Sequence, residues 1–360
     1  MQKNNIVITG GHAATTALAT IQSLKTKDPN LEIYFIGVKK ALEGKNTQTL
    51  ESQIFPQIGV YYRTITMGRL QAKFTRYTIP SLLKIPIGFY NSLNLLLKIR
   101  PKLILSFGGF ASIPVCFWGY LLKIPIIIHE QTVSVGLANK ISSIFATKIA
   151  LAREESKAFF PISKTILTGN PILGSIVNIK PKNKIGSPPV IFITCGSRGS
   201  QTINNALFPI LEKLAKNFKI IHQTGELDFE KFNKLNLKNY KAYKIISPFE
   251  IGSFYKTADI IISRSGANTI AEIMLLKIPS IIIPIPWTRY NEQTKNALFA
   301  KKYAPIEIIK QDLLSPDLLF QKIYFLKNNW STLKKQNNKS FQNDTKAAKN
   351  LTNLVFEYIK

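Results

Sequence analysis

The sequence predicts an α/β protein built from two doubly wound lobes that face a cleft. Three observations carry this. Short runs rich in Ile, Val and Leu alternate with stretches of helical periodicity, the mark of parallel strands joined by crossover helices. The alternation stops at a segment rich in lysine and proline and then begins again. Each of the two series opens in the same way, with a strand, a glycine turn and a helix.

In order along the chain, Ile6-Val7-Ile8 is the first strand, Gly10-Gly11 a turn, and His12 to Lys25 a helix. Leu31 to Ile36, Leu103 to Ser106 and Ile126 to His129 are further strands, the last two ending in loops rich in glycine or polar residues. Leu103 to Leu122 is uncharged and as long as a membrane-spanning helix. Gly108-Gly109 and Pro114 divide it instead into strand, turn and helix. Ile179 to Pro189 contains Lys180, Lys182, Lys184, Pro181, Pro188 and Pro189 and reads as a linker. The second series follows: strands at Val190 to Thr194, Lys219 to His222, Ile260 to Ser263 and Ser280 to Ile283. Helices are expected at about Gln201 to Ala215, Ala267 to Leu276, Glu292 to Lys302 and Thr345 to Tyr358. The expected organisation is therefore a Rossmann-like domain over 1–178, a linker over 179–189, a second such domain over 190–340, and a terminal helix in 341–360 that packs back on the body. In folds of this kind ligands bind outside the carboxyl ends of the strands.

At 360 residues, 45% of them hydrophobic, the chain has the length of about two domains and enough apolar residues for a core in each. Its net charge is +28, from 48 basic and 20 acidic residues. Such a balance favours nucleic acid, an anionic membrane or a phosphorylated substrate as partner. Abundant lysines that merely solvate the surface would give the same total. The distribution says more. Between Ser52 and His129 there is no Asp or Glu, whereas Arg63, Arg69, Lys73, Arg76, Lys84, Lys98, Arg100, Lys102 and Lys123 fall there among Leu, Ile, Phe and Tyr. A one-sign, apolar stretch has the character of a membrane-surface patch; a core helix beside a basic loop would read the same way. Cys116 and Cys195 sit in apolar runs without metal-type spacing, as expected in a reducing compartment. His12, His129 and His222 are too scattered to suggest a zinc site by spacing, and no secretory leader pattern precedes Ile6.

The loops carry the chemistry. Ser263-Arg264-Ser265-Gly266 follows a strand, and Ala267-Asn268-Thr269-Ile270-Ala271-Glu272 opens a helix. Gly266 lets the backbone approach a ligand closely, and the helix start offers free N–H groups and a positive dipole end to a phosphate. Glu272 comes one to two turns in, where a carboxylate can accept from sugar hydroxyls. A plain turn with a capped helix would look similar. Thr9-Gly10-Gly11 ends the first strand, and His12 directly after it is placed for proton transfer. Ser106 to Pro114, His129-Glu130-Gln131-Thr132 and Gly169-Asn170-Pro171 mark further strand ends or junctions.

Together these segments resemble the bacterial cell-wall N-acetylglucosaminyltransferases of the MurG type, which make lipid II and have the glycosyltransferase-B architecture. The likeness runs in order through the Gly-Gly-His turn, Gly108-Gly109-Phe110 with Ser112 and Pro114, and His129-Glu130-Gln131 with Gly136-Leu137 and Asn139-Lys140. It continues through Gly169-Asn170-Pro171, Gly196-Ser197, Arg264 to Ala267 with Glu272, and Gln293 with Asn296-Ala297. The resemblance implies that Thr9, Gly10 and Gly11 lie near the donor sugar and diphosphate and that Ser197 contacts the diphosphate. It implies that Ala267 to Glu272 hold the nucleotide, with Glu272 on the ribose, and that Gln293 contacts N-acetylglucosamine. His12 is the implied general base.

The chain departs from the family pattern in places. Thr132 stands where the family has Asn, at an implied sugar or acceptor contact, Glu292 replaces a glutamine, and Leu173 stands where a phosphate-binding Arg is usual. Arg198, in a loop that usually carries no cation, is expected to replace that charge at the diphosphate. The implied reaction is inverting transfer from UDP-N-acetylglucosamine to an undecaprenyl-diphosphate-linked N-acetylmuramyl-peptide, with no cofactor. No Asp-X-Asp pair lies at a strand end, so no metal is expected in the chemistry. The implied setting is peripheral, on the anionic cytoplasmic surface of the cell membrane. Two alternatives remain open: a transferase for another lipid acceptor, and a UDP-N-acetylglucosamine epimerase of similar architecture. Nucleic acid is not an expected partner, because no DNA or RNA motif accompanies the charge.

Overall fold

The computed structural model describes residues 4–11, 13–40, 48–68, 78–196, 199–336 and 341–359. It divides into two units, Met1–Pro171 with Asn343–Lys360, and Ile172–Gln342.

The first unit holds seven parallel strands: β1 (Asn5–Thr9), β2 (Glu32–Gly37), β3 (Tyr61–Thr64), β4 (Leu103–Ser106), β5 (Ile126–Glu130), β6 (Lys148–Leu151) and β7 (Thr165–Leu167). Their order is β3-β2-β1-β4-β5-β6-β7. Central strands covered on both faces need continuous apolar runs, and Ile6 to Ile8, Leu103 to Leu105 and Ile126 to Ile128 are all fully buried. After β3 the chain crosses back to β4, beside β1, so the strand order reverses there. That switch point is where a doubly wound sheet leaves a crevice.

The second unit repeats the plan with six parallel strands: β8 (Val190–Thr194), β9 (Lys219–Gln223), β10 (Tyr240–Tyr243), β11 (Ile260–Ser263), β12 (Ser280–Ile282) and β13 (Ile306–Ile308). The order β10-β9-β8-β11-β12-β13 puts its switch point between β8 and β11. Ile191, Ile193, Ile260, Ile262 and Phe218 form the core with Trp330, whose indole N–H donates to the Asp259 carbonyl at 2.9 Å.

Several expectations change. The helix expected over Gln201 to Ala215 is two, Gln201–Leu207 and Leu211–Ala215, split by a 3-10 turn at Phe208–Ile210 because Pro209 has no N–H to continue the ladder. The first helix begins at Ala14. The division between units falls at Pro171/Ile172. The segment expected as a linker is bound to the second unit: Lys182 Nζ lies 2.7 Å from Asp259 Oδ1, and the Gly186 and Val190 N–H groups donate to the same carboxylate. The terminal helix, Ala347–Tyr358, packs against the helix Ala14–Lys27 in the first unit.

Within the first unit, the segment that precedes the second unit and the one that follows it are joined by a buried node. Arg153 makes a two-pronged pair with Asp344, at 2.7 and 2.8 Å, and the Asn170 N–H donates to the same carboxylate at 2.7 Å. Gly169 has φ +84, and a Cβ there would fall 2.3 Å from the Asn343 carbonyl oxygen, so only glycine fits.

Candidate functional site

In the second unit Thr194 and Ser263 are register partners, so the loops after β8 and β11 leave the sheet side by side. The helix after β11 is Ala267–Leu276. Gly266 at its N-cap has φ −62 and ψ 147, ordinary extended backbone, and supplies no side-chain cap. Its turn therefore does not demand glycine. What the residue provides is room, because nothing lies within 4 Å of the position a Cβ would take. The N-cap residue offers the first-turn N–H groups no acceptor of its own, and the positive dipole end adds to their attraction for an anion.

Within this helix the expected contacts separate by burial. Ala267, Asn268 and Thr269 are half-buried, whereas the side chains of Ile270 and Ala271 are spent on the core. Glu272 is 7% exposed, and its carboxylate accepts from the hydroxyl of the buried Tyr255. Burial pushes the Glu272 carboxyl up to about 7, against the lowering effect of that hydrogen bond. Sequence reasoning missed Tyr255, which lies on another helix, Ile251–Thr257, and belongs to no motif.

Gln293, in the first turn of the helix Glu292–Lys301, turns its Oε1 inward. That oxygen accepts from the Ile285 N–H at 3.0 Å and the Ser265 hydroxyl at 3.4 Å. The orientation commits the oxygen to the protein and leaves the side-chain NH2 as the group for a ligand. Asn296 Nδ2 donates to the Ser265 carbonyl at 3.2 Å, which fixes the same loop. In the loop after β8, Gly196 has φ +70 with open space around it, and its carbonyl accepts from Gln223 Nε2 at 2.6 Å. Gly199, at φ +68, is pressed against the Thr224 carbonyl, 2.0 Å from where a Cβ would sit. Ser197 and Arg198 lie outside the described residues.

In the first unit the two glycine turns interlock at the β1–β4 switch. The Gly11 N–H donates to the Gly108 carbonyl at 3.0 Å. A Cβ on Gly109 would lie 2.9 Å from the Gly11 nitrogen, and one on Gly10 3.1 Å from Phe107 Cβ. Gly11 itself faces open space. Thr9 is fully buried and its hydroxyl donates to the Ile36 carbonyl at 2.9 Å, so the side chain anchors β1 to β2 and only the backbone is left for a ligand. His12 lies outside the described residues.

Thr132 is also inward. Its hydroxyl lies between Glu130 Oε1, at 2.8 Å, and the Ser134 carbonyl, and its N–H donates to Glu130. Glu130, buried and with its carboxyl raised by that burial, also accepts from the Gly136 N–H and Asn139 Nδ2. His129 faces its Nε2 to the Gly169 carbonyl at 2.9 Å; a carbonyl only accepts, so this nitrogen carries the hydrogen. Burial brings His129 down to about 4, so the ring is neutral at pH 7 and ties β5 to the chain passage between units. Leu173 is buried.

The acid-free stretch contains the helix Thr78–Ile99, whose amphipathicity is inverted. Its buried side carries Ser81, Gly88, Ser92 and Leu96, while Ile79, Leu82, Leu83, Ile87, Tyr90 and Leu97 are exposed. Gly88 is required for close packing: a Cβ there would meet Met67 Sδ at 2.5 Å. Ile85 packs on the core and Phe89 against Phe117, so neither joins the exposed apolar side chains. Arg100 and Lys123 are exposed in left-handed positions just after the helices Thr78–Ile99 and Ser112–Leu121. Arg69, Lys73, Phe74, Arg76 and Tyr77 lie outside the described residues. Among the described residues no helix is long and apolar enough to cross a membrane, and no three His, Cys, Asp or Glu side chains are grouped to hold a metal ion.

Residues 8–151 match the glycosyltransferase family 28 N-terminal domain, and residues 190–352 match the glycosyltransferase family 28 C-terminal domain. The chain is 32% identical over 325 residues to the UDP-N-acetylglucosamine–N-acetylmuramyl-(pentapeptide) pyrophosphoryl-undecaprenol N-acetylglucosamine transferase of Bacillus pumilus, covering 88% of this chain and 87% of that protein. It is 30% identical to the Bacillus subtilis enzyme of the same name, over 92% of each. Among solved structures, Acinetobacter baumannii MurG matches with a TM-score of 0.68 at 20% identity, covering 98% of this chain and 99% of that one. A UDP-GlcNAc 2-epimerase from Neisseria meningitidis matches with a TM-score of 0.63 at 12% identity, covering 98% and 100%. Both structural likenesses concern the fold.

Proposed function

Because the chain belongs to glycosyltransferase family 28, and within it to the UDP-N-acetylglucosamine–N-acetylmuramyl-(pentapeptide) pyrophosphoryl-undecaprenol N-acetylglucosamine transferases, we propose that it transfers N-acetylglucosamine from UDP-N-acetylglucosamine to undecaprenyl-diphosphate-linked N-acetylmuramyl-peptide. The observation that carries the donor half is the uncapped start of the helix Ala267–Leu276, open at Gly266, with Glu272 inside it. UDP leaves with charge developing on its diphosphate, and N–H groups already aimed at that charge stabilise it without reorganising. Glu272 takes the ribose hydroxyls. The Gln293 amide, its oxygen already committed, donates to the sugar. Thr9 and Thr132 contribute through backbone and loop shape, and Gly10 and Gly11 by letting substrate approach. Ser197 and Arg198 serve the diphosphate, and His12 takes the proton from the 4-hydroxyl of the acceptor as it attacks the anomeric carbon with inversion.

Transfer of labelled N-acetylglucosamine to a lipid I analogue tests this. Removal of a general base costs roughly 10²- to 10⁴-fold, and His12→Ala is expected to lose that much in kcat. Isomerisation of the donor in the absence of any acceptor, with no product formed in its presence, would overturn the reading in favour of an epimerase.

The acceptor is lipid-linked, and the reading extends to a docking face. The exposed side of Thr78–Ile99, with Arg100 and Lys123 beside it, seats the protein peripherally on the anionic cytoplasmic leaflet. Each cation near such a surface adds about 1 kcal/mol, and apolar side chains entering the interface add to it. Leu83→Asp with Tyr90→Asp is expected to weaken binding to anionic vesicles by about tenfold or more. Cosedimentation of this double variant equal to that of the parent, or parent binding indifferent to salt and anionic lipid, would remove the docking face.

A further inference from the structure

Among the described residues of the second unit, Arg264 is the buried cation that the mechanism leaves unused. It follows β11, and its side chain is 8% exposed. One terminal nitrogen donates to the Ile283 carbonyl at 3.0 Å and the other to the Ser200 hydroxyl at 2.8 Å. Nε has no partner. Both acceptors are neutral, and among the described residues no carboxylate pairs with the guanidinium. Cys195, whose thiolate would offset the charge, is held as the thiol, since burial pushes it up to about 12. A guanidinium stays protonated at pH 7 even when burial lowers its pKa, as it does here.

A buried charge with no counter-charge is strongly disfavoured unless something compensates it. The location says what can. Arg264 stands between the ends of three strands: its own β11, β12 through Ile283, and the loop after β8 through Ser200. The two glycines that face open space in these loops, Gly196 and Gly266, flank the same switch point. A dianion seated there would face an ordered positive charge from below in a medium of low dielectric, where its pull is far greater than in water.

We infer that Arg264 is a positioning residue for the donor diphosphate, holding the loops after β8 and β11 together while presenting an uncompensated positive charge that only the bound nucleotide neutralises. The inference rests on the nucleotide reading of this unit and adds a partner for its phosphates. A mere brace would affect every ligand of the loops alike, whereas a charge partner discriminates by phosphate.

Calorimetric titration of the full chain with UDP and with uridine separates these. Arg264→Met is expected to weaken UDP by about tenfold or more and uridine by less than about twofold. Equal loss for the two ligands, or no loss for UDP, overturns the inference. If Arg264→Met does not fold, Arg264→Lys carries the test. It keeps the charge and loses the planar fork, so its ratio of UDP to uridine affinity should stay within about threefold of the parent's; a larger fall overturns the inference. Failure of the unaltered protein to bind UDP would instead remove the nucleotide reading beneath it.

Discussion

Glu272→Gln is expected to raise the donor KM by about 10- to 100-fold, because hydrogen bonds to a charged acceptor contribute roughly 1.5–3 kcal/mol. The unaltered protein should approach the same defect by itself in mild acid. Burial holds the Glu272 carboxyl near 7, so it is a full acceptor above that pH and gains a proton as pH falls through it. Donor KM should therefore rise below about pH 7 in the parent and stay flat in Glu272→Gln. Tyr255→Phe removes the hydrogen bond that favours the carboxylate and should move the rise to higher pH. Stability follows the opposite sign. A carboxyl whose folded pKa lies above its ordinary 4.5 binds more protons folded than unfolded across that window. Its contribution therefore falls as pH increases from 4.5 towards 7 and is constant above. Glu272→Gln should be the more stable protein at pH 8, by up to roughly 3 kcal/mol. KM and urea midpoints between about pH 5.5 and 8.5 check both signs; a KM rise that persists in Glu272→Gln assigns the titration to another group.

Asp344→Ala is expected to destabilise the first unit by about 3–5 kcal/mol, the cost of stranding one partner of a buried ion pair. Arg153 and Asp344 are 3% and 1% exposed, so solvent screens little of their attraction. The truncation leaves a buried guanidinium and an Asn170 N–H without their shared acceptor. Replacing both by apolar residues, Arg153→Met with Asp344→Leu, should recover a substantial part of the loss, because the desolvation of two charges is avoided. Urea denaturation monitored on the first unit measures it. A loss below about 1 kcal/mol for Asp344→Ala would place the pair in the class of screened surface bridges.

Where the sequence spoke clearly, the local and tertiary demands agreed. Ile6 to Ile8, Ile126 to Ile128 and Ile260 to Ile262 are continuous β-branched apolar runs, bounded by turn residues, that suit central strands. The helix Ala267–Leu276 was legible because Gly266 precedes an apolar helical pattern; the left-handed Lys277 that ends it is seen only in the structure. The edge strands were not. Tyr61–Thr64 and Thr165–Leu167 are short and half-exposed, so they carry no periodic signal. The helix Thr78–Ile99 hides small residues and shows large ones, with Pro86 inside it, which reverses the pattern that marks an ordinary surface helix. At the candidate site the loops were legible and the side-chain commitments were not. Thr9 and Thr132 look like ligand contacts in one dimension, yet their hydroxyls go to Ile36 and Glu130. Tyr255 meets Glu272 only through the packing of two helices.

The return of the chain at Asn343 into the first unit makes the second unit, topologically, an insertion. Synthesis runs from the amino end, so the six strands of Ile172–Gln342 are complete on the ribosome while the first unit still lacks Asp344 and the helix Ala347–Tyr358. Asp344 follows Arg153 by 191 residues, so their ion pair cannot form until nearly the whole chain has been made. The amino-terminal half is thus the last to close, and a nascent chain from which Ile172–Gln342 has emerged but Asp344 has not should hold a finished second unit while the first still lacks its ion pair and terminal helix.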